Sequence, residues 1–360
     1  MSNIVMFDLP RPKADEQLYA DTMAKGFAAY PERKANFDKS RAAKRGLQVD
    51  FLPTKLDIEN VSRCNYHCTM CQVSDWPGYK RAGDMTLEDF KQLIDSQIGL
   101  VEIKIQGMGE PFMGKPFIEM IQYARDRHIW VRSVTNASIL HHNDNYKRAI
   151  DAGICELIVS IDGTTTETYE KIRRGGKWAT VQKNCQLLND YAKSVGRHRT
   201  RMWVVVQKDN FKEIRAFPRT AAELGFNRLT LSLDVHSWGQ DAWKEANDAV
   251  SVDESFSQKL GEEIMADAKQ RGVEQSFWFV ESKFNTSAPE KLCFWPFERA
   301  FISSDMRISP CCMIANPEVR DLGDAKKFTE EWNGPKMKIF RAQHLKGEIP
   351  KECKMCYACD

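Results

Sequence analysis

Short apolar runs alternate with amphipathic segments from about residue 51 to about residue 240. Each run is rich in Val, Ile, Leu or aromatic residues and lies among polar residues, which is typical of strands. The six predicted strands are 56–62, 100–107, 129–136, 156–163, 201–207 and 228–236. Strands that alternate with helices indicate parallel βα units with right-handed crossovers. Six units are too few to close an eight-stranded barrel, so the pattern predicts an α/β fold with a partial (β/α)6 barrel.

The segments between these runs have the periodicity of helices. Thr86 precedes one of them as an N-cap, with Asp89 three residues later and apolar residues at 87, 90 and 94 on one face. The other predicted helices are 116–127, 145–152, 166–172, 178–193 and 212–224. Ligands of parallel βα folds bind at the carboxyl ends of the strands, so functional residues are expected there.

The regions that flank the barrel have different patterns. An amphipathic segment at 13–29 is interrupted by Pro31, which predicts a helical extension packed on the main domain. A helical stretch at 255–269 is followed by an aromatic run at 277–279, and we interpret this region as a mostly helical bridge. The predicted units are an N-terminal extension (1–50), the partial barrel (51–240), the bridge (241–290) and a small cysteine-rich domain (291–360).

Composition narrows the class of function. A net charge of +2 gives no reason to expect a nucleic-acid partner. No apolar run is long enough to predict a membrane span. The first residues lack the basic and apolar regions of a secretory signal, so we expect a cytoplasmic protein.

Eleven cysteines in a cytoplasmic chain indicate metal binding rather than disulfides, because cytosolic thiols stay reduced. Three of them lie at 64–71 and six lie between 293 and 359. Cys155 and Cys185 stand alone and are interpreted as small core residues.

Cys64, Cys68 and Cys71 follow the first predicted strand in one short loop. Three thiolates can hold three corners of a four-iron cluster and leave one iron open to a ligand. The alternative is a zinc ion, with His67 as a nearby donor, but structural zinc sites need four protein ligands.

This cysteine spacing after a strand, within a six-unit βα pattern, resembles the radical S-adenosylmethionine (radical SAM) enzymes. The resemblance covers 55–240 and 291–360. It implies that the open iron of a 4Fe-4S cluster binds SAM and that reductive cleavage yields a 5′-deoxyadenosyl radical. It also implies an electron donor of the flavodoxin or ferredoxin type.

The ends of the second and third strands carry further likenesses to this family. The sequence around Gly107, Gly109 and Glu110 resembles the family's Gly-Gly-Glu-Pro motif, which implies contacts with the methionyl ammonium of SAM. Met108 departs from the motif, since a glycine is usual there. The third strand ends in Thr135-Asn136-Ala137, which is similar to the family's Thr-Asn-Gly, with Asn136 as the matching residue.

Four more positions match SAM-binding residues of the family. Ser160 and Asp162, at the end of the fourth strand, are implied contacts of the ribose hydroxyls. Arg173 is the implied partner of the SAM carboxylate, with its neighbour Arg174 as the alternative. Met70 occupies a position that contacts adenine in relatives, and its thioether could make that contact.

The cysteine-rich tail resembles the domain called SPASM, or its short form, twitch. The candidate ligands of one auxiliary 4Fe-4S cluster are Cys293, Cys311, Cys353 and Cys356. Cys312 remains an alternative to Cys311, and Cys359 is either a spare thiol near the cluster or part of a disordered terminus. The remaining cysteines are too few for a second auxiliary cluster, and this tail is similar to that of a twitch-type aminocyclitol dehydrogenase.

A fully ligated auxiliary cluster can accept an electron from a substrate radical, which predicts a net oxidation. Asp234 and His236 lie on one face of the sixth predicted strand, and either could accept the proton. The first hypothesis is oxidation, epimerisation or dehydration of a sugar-like or aminocyclitol alcohol. The second is modification of a ribosomally made peptide, although 1–50 is shorter than the leader-binding domain that such enzymes often carry. An electron carrier or a zinc scaffold is the non-enzyme alternative.

Overall fold

The computed structural model describes residues 13–76, 82–252, 256–279 and 283–358. All six predicted strands are present, and four further strands join them in one sheet. The strands are β1 Lys55–Ile58, β2 Glu102–Ile105, β3 Trp130–Thr135, β4 Glu156–Ser160, β5 Thr200–Val205, β6 Arg228–Ser232, β7 Glu274–Trp278, β8 Arg299–Ile302, β9 Arg307–Ser309 and β10 Gly323–Asp324.

The helices connect these strands largely as the periodicity predicts. The α-helices in the described parts of the chain are α1 Glu16–Ala29, α2 Pro31–Ala42, α3 Leu87–Ser96, α4 Phe117–Asp126, α5 Asn145–Asp151, α6 Thr166–Ile172, α7 Trp178–Ser194, α8 Lys208–Phe211, α9 Phe217–Glu223, α10 Asp241–Asp248, α11 Gln258–Gln270, α12 Trp295–Glu298, α13 Phe328–Glu331 and α14 Pro335–Leu345. Thr86 caps α3 by accepting a hydrogen bond from the Asp89 N–H at 3.0 Å. Pro31 is the first residue of α2, where its missing N–H has no helical partner to lose.

The sheet has the order β10-β9-β8-β1-β2-β3-β4-β5-β6-β7. Strands β1 to β7 run parallel, each beside the next, and β8 pairs in parallel with the other side of β1. Strands β9 and β10 add an antiparallel edge. The sheet remains open between β10 and β7, which confirms the prediction of a partial barrel.

Two of the four strands outside the predicted set extend the parallel sheet. Phe277 and Trp278 belong to β7, which pairs in parallel with β6, so the interpretation of this aromatic run as the end of a helical bridge is wrong. Strand β8 lies in the cysteine-rich tail, yet it aligns Ala300 with Leu56 and Ile302 with Ile58 of β1. The barrel sheet therefore includes a strand from the tail.

The outer face of the sheet forms the apolar core with the helices. Ile103 and Ile105 of β2 are fully buried in the same cluster as Phe90 and Leu93 of α3. Because side chains alternate along a strand, residues between them on β1 and β2 project to the inner face of the barrel. No helix in the described parts of the chain has the length and apolarity needed to cross a membrane.

Charged residues close the amino end of the barrel. Glu156, the first residue of β4, accepts hydrogen bonds from Arg132, Arg201 and Arg228 at 2.8 Å each. Glu102, the first residue of β2, pairs with Lys55 at 3.0 Å and with Lys13, which lies before α1. These buried ion pairs form the barrel floor, so the N-terminal extension contributes to the floor as well as packing on the surface.

The cysteine-rich tail is joined to the segment that precedes β1. The Trp332 indole donates to the Phe51 carbonyl at 2.9 Å. The Asn333 side chain bonds the N–H and carbonyl of Val49 at 3.1 and 2.8 Å, and Arg341 donates to Asn333 at 2.9 Å. These contacts fix the tail against the barrel from the side opposite β7.

Candidate active site and auxiliary cavity

The cysteine loop follows β1 at the carboxyl end of the sheet, where the sequence predicts it. The loop is held by the end of α6: His67 N–H donates to the Arg174 carbonyl at 2.8 Å, and Thr69 N–H donates to the Ile172 carbonyl at 3.0 Å. The Arg174 side chain in turn donates to the His67 carbonyl at 2.7 Å. Arg174 therefore positions the loop, which leaves Arg173 as the arginine directed at the site.

Hydrogen-bond donors surround the loop sulfurs. Cys64 Sγ accepts from the Tyr66 N–H at 3.5 Å and from the Asn136 amide at 3.8 Å, and Cys68 Sγ accepts from Arg173 at 3.9 Å. Burial raises the thiol pKa values of Cys64 and Cys68 to about 12 and about 11. A bound metal would displace these protons, and donors to sulfur would then stabilise the thiolates.

The thiols of Cys64, Cys68 and Cys71 interact electrostatically with one another. Three thiols on one loop suit a cluster that leaves one iron open to a ligand, whereas a structural zinc site needs a fourth protein ligand.

The two glycines after β2 allow the backbone to approach closely the segment between β1 and the cysteine loop. A Cβ atom at Gly107 would lie 2.3 Å from Glu59 Cγ, and one at Gly109 would lie 2.2 Å from the Val61 carbonyl oxygen. Any side chain would therefore displace this segment. Met108, where the family usually has glycine, contributes through its main chain: its N–H donates to Glu59 at 2.7 Å, a bond that any residue except proline could make.

Glu110 is a buried carboxylate that joins the ends of β2 and β3. It accepts hydrogen bonds from the Thr135 hydroxyl and the Asn136 N–H, both at 2.7 Å. Burial raises the pKa of Glu110 to about 7. The Asn136 amide also donates to Asn65 at 2.9 Å, so Glu110 and Asn136 together support the cysteine loop.

Asp162 and Arg173 form a buried ion pair at 2.6 Å. The second Asp162 oxygen accepts the Val205 N–H at 2.7 Å, and the side chain is fully buried. Both oxygens of Asp162 are thus bonded to the protein, and the pair directs Arg173 towards Cys68. Ser160, half-buried at the end of β4, is the more accessible of the two predicted ribose contacts.

Met70 is held through its main chain. Its carbonyl accepts hydrogen bonds from the Trp238 indole at 3.0 Å and from the Asn247 amide at 3.4 Å, and its side chain is buried in the apolar core. Asn247 also donates to the His236 carbonyl at 2.7 Å. The segment after β6 is therefore attached to the cysteine loop.

A cavity lies between the tail and the segment after β6. All four predicted tail ligands line it: Cys293, Cys311, Cys353 and Cys356. His236 and Trp238 also line this cavity. Because the Trp238 indole donates to the Met70 carbonyl, Trp238 links the cavity to the first cysteine loop. Burial raises the pKa of each of the four thiols. Four thiols around one enclosed space suit a fully ligated cluster.

The two adjacent tail cysteines occupy different environments. Cys311 lines the cavity and interacts with Cys293, Cys353 and Cys356. Cys312 interacts mainly with Asp57 and Lys104, on the inner face of the barrel. This difference favours Cys311 as the ligand. Cys155 and Cys185 are fully buried, and Cys359 lies outside the described residues.

Asp234 and His236 follow β6 at the junction of the barrel and this cavity. Asp234 is buried and interacts electrostatically with Cys356 and Lys283. His236 lines the cavity, and burial lowers its pKa to about 4, which keeps the imidazole neutral at pH 7.

Sequence reasoning missed Glu59. This fully buried carboxylate accepts the Met108 N–H at 2.7 Å and the Ser304 N–H at 3.2 Å, so it connects β1, the segment after β2 and the turn between β8 and β9. Burial raises its pKa to about 7. In the sequence, Glu59 is an acidic residue inside the first predicted strand, 56–62, directly after the last residue of β1.

Two family models match this chain. The Radical SAM superfamily matches residues 61–221, and the iron-sulfur cluster-binding domain SPASM matches residues 293–360. The chain is a radical SAM enzyme with a C-terminal SPASM domain. Its cofactors are accordingly SAM and 4Fe-4S clusters.

Curated relatives of this radical SAM enzyme match over part of their length. The tungsten-containing aldehyde ferredoxin oxidoreductase cofactor-modifying protein of Pyrococcus furiosus is 28% identical over 186 residues, 49% of this chain and 50% of that protein. Mycofactocin maturase MftC of Mycobacterium ulcerans is 26% identical over 198 residues, 54% of this chain and 51% of that protein. The chain thus spans about half the length of the curated relatives it matches.

Solved structures share the fold at low identity. Streptococcus suis SuiB bound to the precursor peptide SuiA superposes with a TM-score of 0.63 at 14% identity, covering 86% of this chain and 69% of SuiB. BtrN in complex with AdoMet and 2-DOIA superposes with a TM-score of 0.52 at 15% identity, covering 86% of this chain and 95% of BtrN. Each of these likenesses covers 86% of this chain.

Proposed function

We propose that this radical SAM enzyme carries out a net two-electron oxidation of its substrate, with Asp234 as the base. The observation that carries the proposal is the position of Asp234, a buried carboxylate beside both Cys356 and Lys283. When bound, SAM and the clusters supply hydrogen-atom abstraction and a one-electron acceptor. Asp234 supplies the remaining requirement, an acceptor for the proton that leaves as the substrate is oxidised.

The neighbours of Asp234 have supporting roles in this proposal. Lys283 is close enough to Asp234 to favour the ionised carboxylate electrostatically. His236 lines the tail cavity and, as a neutral imidazole, can donate or accept a hydrogen bond there. Ser160, Asn136 and Arg173 are proposed to orient SAM, since they lie at the carboxyl ends of the strands beside the cysteine loop.

A peptide is the first candidate substrate class. Mycofactocin maturases from several mycobacteria are among the curated relatives, and one solved neighbour binds a precursor peptide. These relatives support a peptide because the maturases match over about half of this chain and SuiB shares the fold over 86% of it.

A sugar-like or aminocyclitol alcohol is the second candidate. The observation that favours it is the number of thiols in the tail cavity, which suffices for one auxiliary cluster. BtrN, whose complex contains 2-DOIA, is covered over 95% of its length. Epimerisation and dehydration are further possible reactions of this substrate class. Epimerisation needs a hydrogen donor, and Cys312 is a thiol on the inner face that could supply the hydrogen.

The Asp234→Asn variant tests the proposal, with Asp209→Asn as the matched surface control. The reduced, SAM-loaded enzyme is assayed anaerobically with an aminocyclitol and with peptides encoded beside its gene. We expect Asp234→Asn to retain 5′-deoxyadenosine formation while losing at least about tenfold of the product that lacks two hydrogens. Equal yields of that product from both variants would refute the role of Asp234.

A further inference from the structure

The side chains on the inner face of the barrel are more exposed above the floor than in the floor itself. The floor residues are almost completely buried, as the exposures of 0% for Glu156 and 1% for Arg201 illustrate. The next inner-face residues towards the carboxyl end are half-buried: Asp57, Lys104, Gln106, Val134, Trp203 and Trp278. The barrel is therefore sealed below these residues and accessible above them. We call this accessible space the lumen.

Lys104 has an unusual position in the lumen. The floor cations Lys55, Arg132 and Arg201 each lie within 3.0 Å of a carboxylate oxygen. Among the residues that the structure describes, the Lys104 ammonium has no hydrogen-bond acceptor and no ion-pair partner. Because an ammonium in a partly desolvated site is costly without a counter-ion, its free donors are available for a ligand.

Asp57 lies directly opposite Lys104 in the register of β1 and β2, yet the two do not form an ion pair. Gln106 donates to one Asp57 oxygen at 2.7 Å and so holds the carboxylate on its own side of the lumen. The other Asp57 oxygen accepts no hydrogen bond from any described residue. The pair therefore presents a free cation and a free acceptor side by side.

Arg299, at the start of β8, lies opposite Lys55 in the register of β1 and β8, at the level of the floor, and is a further cation that acts on Asp57. Its guanidinium packs over the Phe294 ring at 4.5 Å and makes no ion pair with a described residue. Arg299 interacts electrostatically with Asp57 and with Cys312, which also interacts with Lys104. Arg132 and Glu156 of the floor also act on Lys104, and their charges offset each other. With Lys104, Arg299 and Asp57 ionised, this corner of the lumen has an excess of one positive charge.

We propose that Lys104 and Arg299 bind a carboxylate group of the substrate, while Asp57 accepts a hydrogen bond from a neighbouring donor of that substrate. A single excess positive charge matches a carboxylate monoanion better than a phosphate dianion. The proposal rests on the proposed function in one respect, that the substrate enters the lumen. It makes a sugar acid or an acidic peptide the expected substrate, in place of a neutral alcohol.

Competitive acetylation of lysines in the reconstituted full chain tests the proposal. Lys104 labelling is followed by mass spectrometry, with exposed Lys34 as the internal standard. The probes are D-glucuronate against D-glucose, and the tripeptide Gly-Glu-Gly against Gly-Gln-Gly. At ten times its Kd, a bound carboxylate should slow Lys104 labelling about tenfold, while its neutral counterpart should change the rate less than about twofold.

The outcomes are distinct. Protection by glucuronate indicates a sugar acid, and protection by the acidic tripeptide indicates a peptide. The Arg299→Gln variant should lose most of the protection, whereas Arg215→Gln, on the surface, should retain it. Equal labelling with charged and neutral probes would overturn the proposal, as would failure of Lys104 to label in the free protein. Because labelling needs no turnover, loss of the proposed oxidation would leave this result unaffected.

Discussion

The indole N–H of Trp238 donates a 3.0 Å hydrogen bond to the main-chain carbonyl of Met70, one residue before Cys71. Trp238 also lines the tail cavity that contains Cys293 and Cys356. One side chain thus connects the first cysteine loop with the cavity that the tail cysteines line, so packing at this cavity can affect the order of the loop.

The Trp238→Phe variant keeps the aromatic ring and removes this hydrogen bond. The Met70 carbonyl would retain the longer bond from Asn247, so the loss should cost about 1 kcal/mol. In the cluster-free chain, we expect alkylation of Cys64, Cys68 and Cys71 to accelerate about fivefold. Trp295→Phe, at the same cavity, is the control and should leave the rates unchanged; equal rates in both variants would contradict the coupling.

Glu110 should give the cluster-free chain a measurable pH dependence. Its folded pKa is about 7, against an ordinary value of 4.5. Between these values the folded chain holds a proton that the unfolded chain has lost, so the free energy of unfolding falls as the pH rises through this window. The fall should amount to at most about 3 kcal/mol.

The Glu110→Gln variant removes this titration and should make the profile between about pH 5 and about pH 7 less steep, while Glu59, whose pKa is also about 7, keeps its own contribution. Urea unfolding at several pH values measures the difference from the wild type. Glu119→Gln, on the exposed face of α4, serves as the control. Parallel profiles for the wild type and Glu110→Gln would show that Glu110 does not carry the effect.

The two adjacent tail cysteines should differ in their effect on iron content. Two 4Fe-4S clusters correspond to about eight irons per chain. We expect Cys311→Ser to lower this to about four irons and Cys312→Ser to leave it near eight. Iron analysis and electron paramagnetic resonance after anaerobic reconstitution measure the difference; the reverse order would assign the ligand to Cys312.

The barrel floor should depend strongly on Glu156. Glu156→Gln leaves three guanidinium groups around a neutral amide, which should destabilise the chain by about 3–5 kcal/mol. Glu263→Gln removes one partner of the exposed pair with Arg215 and should cost at most about 1 kcal/mol. Chemical unfolding compares the two variants, and a small effect at Glu156 would contradict the proposed role of the floor.

Local periodicity predicted the six strands and most helices because each has its own apolar face. It did not predict β7, whose aromatic residues are equally compatible with the end of a helix. The pairing of β8 with β1 was also missed, since it joins residues separated by more than two hundred positions and leaves no local pattern. Such pairings depend on tertiary packing rather than propensity.

The candidate site was also predicted from the sequence only in part. Cysteine spacing located the first loop and the four thiols of the tail cavity. The buried bonds of Asp162 to Arg173 and Val205, and those of Glu59 to Met108, could not be predicted, because they depend on how strand ends meet. The free ammonium of Lys104 likewise became evident only when its neighbours were known.

The central claim is that the loop cysteines hold a SAM-cleaving cluster and the tail cysteines hold a second one. The most direct test is to reconstitute, reduce and supply SAM anaerobically, then quantify iron and 5′-deoxyadenosine per chain. We predict about eight irons and 5′-deoxyadenosine from the wild type, none of this product from Cys68→Ala, and about four irons with retained product from Cys353→Ala. A wild-type chain with about eight irons that forms no 5′-deoxyadenosine would contradict the claim.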